Sequence, residues 1–75
     1  MSNLFQRIWT GESVFVRLRH PPHTRFRIVS KTLFGVRHFG IIPDGKRRVT
    51  KDGYRLLDES IVSQWVESLE EIPYD

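Results

Sequence analysis

From Ser13 to Arg19 the chain alternates strictly, with Val14, Val16 and Leu18 on one side and Phe15, Arg17 and Arg19 on the other. Successive side chains on an extended backbone point to opposite faces, so this pattern specifies a strand with one buried and one wet face. Pro21-Pro22, flanked by His20 and His23, interrupts it, because neither proline donates to a ladder and each restricts the residue before it. The alternation resumes from Thr24 to Thr32, with Phe26 and Ile28 facing one way and Arg25, Arg27 and Val29 the other. Two such runs across a short break predict an antiparallel hairpin whose apolar side needs a cover.

Candidates for that cover stand at both ends of the chain. Leu4, Phe5, Ile8 and Trp9 share one face of a short N-terminal helix, with Ser2 or Asn3 placed to cap it and Gly11 to end it. This reads as a lid on the core. Near the C-terminus, Asp58 is placed to cap a helix in which Ile61, Val62, Trp65, Val66 and Leu69 form an apolar stripe. Leu57 and Val62 can staple its start, and Pro73 marks its end.

Between these lie further strands. Gly35 separates the second strand from Val36 to Ile42, whose Phe39 and Ile41 oppose Val36, His38 and Ile42, so both faces are apolar and the segment reads as the central strand. Pro43-Asp44-Gly45 is a turn, since proline presets one dihedral and Asp-Gly tolerates a positive one. Lys46 to Lys51 would be the return strand, at an exposed edge because Val49 is its only apolar residue. Asp52-Gly53 makes a second turn before Tyr54-Arg55-Leu56-Leu57. The predicted architecture is α+β: one domain over residues 1–75, a small antiparallel sheet of three to five strands, the C-terminal helix packed on one face, and a short N-terminal helix.

Seventy-five residues leave room for one modest core, and with no Cys neither a disulfide nor a thiolate metal site can reinforce it. Nothing in the sequence approaches a membrane span, and the expected setting is a soluble, cytoplasmic protein.

Charge is the feature that bears on partners. All twelve Lys and Arg residues fall between Arg7 and Arg55, against three acids there, whereas Leu56 to Asp75 holds six acids and no base. If the strands pair as read, Arg17, Arg19, Arg25 and Arg27 project from one outer face beside Phe15. Lys31, Arg37 and the Lys46-Arg47-Arg48 run extend that cationic surface. Nucleic acid offers phosphates for such cations and flat bases for an aromatic ring. Arginine outnumbers lysine nine to three, which favours bidentate recognition of phosphate or carboxylate. The plainer reading is a solvated sheet face whose arginine stems cover apolar surface.

The acidic end suggests a different partner. Glu67, Glu70 and Glu71 are expected in the last turns of the C-terminal helix, where the macrodipole disfavours negative charge and no Lys or Arg in the helix offsets it. Either the molecule's own basic sheet compensates them, or a larger protein assembly with a basic groove does. In the second case Glu67, Glu70, Glu71, Tyr74 and Asp75 would form the contact of a small regulatory or inhibitory protein. Exposed Phe15, Phe34 or Tyr54 beside arginines would favour nucleic acid, and a contiguous apolar patch at Trp9 or Trp65 would favour a protein partner. No cofactor is expected. His20, His23 and His38 match no common metal spacing, and no nucleophile, base and orienting acid group together, so the reading is non-enzymatic.

One local likeness stands apart. The stretch Thr32-Leu33-Phe34-Gly35-Val36-Arg37-His38-Phe39-Gly40-Ile41-Ile42-Pro43-Asp44-Gly45 resembles the histidine strand of lecithin:retinol acyltransferase-like proteins, relatives of the NlpC/P60 thiol hydrolases, in which His is followed by an aromatic residue, Gly, Ile and a turn. The resemblance implies that His38 stands where that family keeps its base. It covers fourteen residues, and the family's Asn-Cys nucleophile has no counterpart in a chain without Cys, so it implies a shared sheet geometry without the acyl chemistry.

Overall fold

The two alternating runs pair as a hairpin in the computed structural model, which describes residues 3–73. Strand β1 (Val14–Leu18) lies antiparallel to β2 (Arg25–Leu33), with Val14 opposite Ile28 and Arg17 opposite Arg25. A turn holding a cis Pro21-Pro22 bond joins them. Strand β3 (Val36–Pro43) continues antiparallel from β2, in register from Leu33 opposite Val36 to Phe26 opposite Pro43. Phe34 and Gly35 alone make that connection, at φ 53° and 76°. Two positive values in a two-residue loop are the pattern of the type I′ turn, whose twist suits the flanking strands.

Two short strands complete the sheet. β4 (Arg55–Leu56) pairs with β3, and β5 (Leu69–Glu71) pairs with β1, giving the order β4-β3-β2-β1-β5. The expected centre is therefore displaced. β2 is the middle strand, and Val36–Pro43 is one place from the edge. Lys46 to Lys51 forms no strand either, and the return to β3 comes only at Arg55–Leu56. A basic segment with one apolar residue has no face to bury, so pairing it would gain little.

Two helices cover one face. Helix α1 (Leu4–Trp9) starts at Asn3, whose Oδ1 accepts the Gln6 amide at 2.7 Å. Helix α2 (Glu59–Ser68) starts at Asp58, whose Oδ1 accepts the Ile61 amide and the Ser60 hydroxyl, each at 2.9 Å. Below them Ile8, Val14, Val16, Phe26, Ile28, Val62 and Leu69 make one core, flanked by Leu4, Phe5, Leu18, Ile41, Leu57, Trp65 and Val66. Each fully buried aliphatic side chain contributes about 1.5–3 kcal/mol. Phe39 extends the core toward the edge through an edge-on contact with Trp65, ring centroids 4.6 Å apart.

The apolar stripe of α2 ends sooner than its spacing suggests. Leu69 leaves the helix for extended backbone, sits opposite Leu18 and is almost fully buried. A helical turn there would leave the free edge of β1 uncovered. The strand instead brings main-chain bonds along it, Arg19 N to Ser68 O at 2.9 Å and Ile72 N to Phe15 O at 3.0 Å. Glu70 and Glu71 consequently lie on β5, and of the three glutamates only Glu67 is in the last turn of α2.

Candidate nucleic-acid interface

Register decides which cations share a surface. The face away from the helices carries Glu70 from β5, Phe15 and Arg17 from β1, Arg25, Arg27 and Lys31 from β2, and His38 and Ile42 from β3. Three of the four arginines of the expected row, Arg17, Arg25 and Arg27, are there, but much of their charge is already engaged. Arg17 Nε donates to Glu70 Oε2 at 3.0 Å across the β1–β5 ladder. Arg25 Nε stands 3.5 Å from Asp44 Oδ2, and its guanidinium lies 5.2 Å from the centre of the Phe15 ring. Arg27 is half-buried between them in the ladder, opposite both Phe15 and Ile42. Lys31 Nζ lies 5.6 Å from the centre of the Tyr54 ring.

Two arginines lie elsewhere. Arg37 falls on the helix face, because it alternates with His38, and its Nη1 donates to the Trp9 carbonyl at 3.1 Å. It ties β3 to the end of α1. Arg19 lies past the end of β1, and its Nε donates to the Leu69 carbonyl at 2.9 Å, closing the junction of α2 and β5.

Of the acids read as compensated either by the molecule's own bases or by a partner, two are engaged within the molecule. Glu70 holds Arg17, and Glu71 pairs with Arg7, which also bonds Glu12 at 3.0 Å. The molecule's own bases thus compensate these two. Glu67 makes no ion pair among the described residues, and Tyr74 and Asp75 lie outside them.

Four of the unpaired cations lie in the segment 44–54. Lys46, Arg47, Arg48 and Lys51 make no ion pair or side-chain hydrogen bond among the described residues, and together with Pro43, Val49 and Thr50 they line one concavity. The segment runs along the edge of β3, with Val49 and Tyr54 over its outer face. Thr50 N donates to Ile41 O at 2.9 Å, and turns at Pro43–Lys46 and Thr50–Gly53 close with bonds of 3.0 and 2.9 Å. A Cβ on Gly40 would stand 2.8 Å from Val49 Cγ2 and 3.0 Å from Tyr54 Cε1. Gly40 is therefore the seat on which Val49 and Tyr54 rest, and that contact holds the basic loop against β3.

The sequence pattern puts Lys46, Arg47 and Arg48 on an edge strand and does not single out Lys51. The missed signal was Val49, whose single apolar side chain amid bases is an anchor rather than half of an alternation. It also left Phe34 undecided. That ring is fully exposed, at 101% of its reference area, while Phe15 is half-buried, Tyr54 is exposed, Trp9 is exposed in a hollow with Val36, Arg37 and Leu57, and Trp65 packs on Phe39.

The histidines do not converge. His38 lies half-buried on the outer face with Nδ1 2.9 Å from Val36 O, and His23 Nδ1 lies 3.1 Å from Leu18 O. Among the described residues no group of three His, Asp or Glu side chains could hold a metal ion, and no helix is long and apolar enough to cross a membrane. The chain matches no family model, no curated protein and no solved structure.

Proposed function

We propose that the protein is a non-enzymatic nucleic-acid-binding module. Its phosphate contacts centre on Lys46, Arg47, Arg48 and Lys51, and Arg25, Arg27, Lys31 and Phe15 on the adjoining sheet face extend the contact. The observation that carries this reading is the concavity lined by four unpaired cations. Cations committed to internal carboxylates must break a pair before meeting a phosphate, whereas these four need only shed water and counterions. The reading of a small protein docking on a larger assembly through its acidic end has less support, since Glu70 and Glu71 are engaged with Arg17 and Arg7.

Fluorescence anisotropy of labelled single- and double-stranded oligonucleotides, titrated at low and moderate salt, tests it. Binding should fall steeply with salt. Replacing Lys46, Arg47 and Arg48 together by Ala should weaken binding on every sequence and flatten the logarithmic salt slope by about two units on a single strand, at ~0.7 per phosphate contact. Absence of binding at low salt, or unchanged affinity in the triple variant, would remove the proposal.

A further inference from the structure

The β2–β3 hairpin carries an unusual tip. Phe34 sits at φ 53°, in the left-handed region where a side chain other than Asn, Asp or Gly is strained, and its ring is fully exposed. Local folding does not ask for phenylalanine there. A type I′ turn is best served by Asn-Gly, so the aromatic ring carries both a backbone cost and an exposed apolar surface.

Its surroundings indicate what the ring meets. From Arg25 to Pro43 the hairpin contains four Lys and Arg residues and no acid. Lys31 and Arg37 stand within three residues of the tip, on opposite faces, opposite His38 and Thr32 respectively. A fully exposed apolar ring at the tip of a hairpin that carries bases and no acid suits a polyanion that also offers flat groups. It does not suit the cation-bearing groove of a protein partner. Between the two forms of nucleic acid, the single strand fits better. A wedge driven into a duplex must unstack a base step, a cost repaid by wrapping bent DNA around the protein. This molecule, with principal extents of 35 × 28 × 20 Å, has little surface for wrapping. Unpaired bases stack on an exposed ring without that cost.

We infer that the ligand is single-stranded nucleic acid and that Phe34 is a stacking platform for one of its bases, beyond the phosphate contacts of the basic loop. The inference rests on the nucleic-acid reading given above. Phe34→Asn is the informative variant, because it restores the preferred Asn-Gly turn and removes the ring. Its melting temperature should match or exceed that of the parent chain, so lost binding cannot be ascribed to unfolding.

In anisotropy titrations the parent chain should prefer a single strand over the duplex of the same sequence. Phe34→Asn should lose roughly tenfold in single-strand affinity, the range of one base–aromatic stack, with the salt slope unchanged. Phe34→Trp should retain the affinity, and a 2-aminopurine base in the strand should change its fluorescence on binding the parent chain but not the Asn variant. Equal binding of both forms with no effect of Phe34→Asn would overturn the stacking platform and leave the basic-loop reading intact. Loss confined to the duplex would overturn it in favour of a wedge. No binding of either form by the parent chain would overturn both.

Discussion

Asp58 shows how far one residue can be read from its neighbours. A carboxylate ahead of an apolar stripe predicts a cap, and the Ile61 amide and the Ser60 hydroxyl both donate to it. These bonds, the Ile61 amide first, hold the Asp58 carboxyl below its ordinary value, because they favour the charged form. A depressed folded-state pKa contributes stability that is fully present above the ordinary Asp range and is lost as pH falls through the folded value. Asp58→Ala should therefore lower the melting temperature at neutral pH, and the difference from the parent chain should shrink on acidification below about pH 4. Thermal melts across that range check it, and a difference that stayed constant would mean that the carboxylate is not the cap. The cap of α1 is narrowed to Ser2 or Asn3 for the same reason, and Asn3 holds it. Phe34 was not legible, because a ring's exposure depends on which strands flank it and where they end.

At the scale of elements, the outcome turns on competition for the same residues. Helical periodicity carries the apolar stripe through Leu69, yet Leu69 lies opposite Leu18 in β5, where the chain covers the edge of β1. The strand wins because it keeps Leu69 buried, adds main-chain bonds along β1, and places Glu70 beside Arg17 and Glu71 beside Arg7. Leu69→Ala should cost about 2–5 kcal/mol in urea denaturation, as for a core leucine. Glu71→Gln should cost under about 1 kcal/mol, as for an exposed ion pair. A Leu69→Ala loss as small as that of Glu71→Gln would show that β5 does not close the core. The basic segment 46–51 illustrates the opposite case, a stretch with too little apolar surface to hold a strand, which is seated instead by Val49 on Gly40.

For the whole molecule, folding undoes part of the segregation of bases from acids along the chain. Strand β5 brings the acidic end back beside β1, so that Glu70 and Glu71 meet Arg17 and Arg7, and the basic surface contracts toward the loop 44–54. On the proposed function, Glu70→Gln should free Arg17 for a phosphate. Affinity for an oligonucleotide at low salt should rise, with the salt slope steeper by ~0.7 on a single strand. An unchanged salt slope in that variant would mean that Arg17 takes no part in the contact. By itself the sequence determined the hairpin of β1 and β2, the start of α2 at Asp58, the α+β class and the outward face of Arg17, Arg25 and Arg27, because alternation and capping act between near neighbours. Only the tertiary structure decided which strand is central, that Arg37 turns toward the helices, that Glu70 and Glu71 are engaged and that four cations stand unpaired around one hollow. Those outcomes depend on which distant segments pair, and pairing is settled by burial and edge coverage over the whole chain, which no local pattern records.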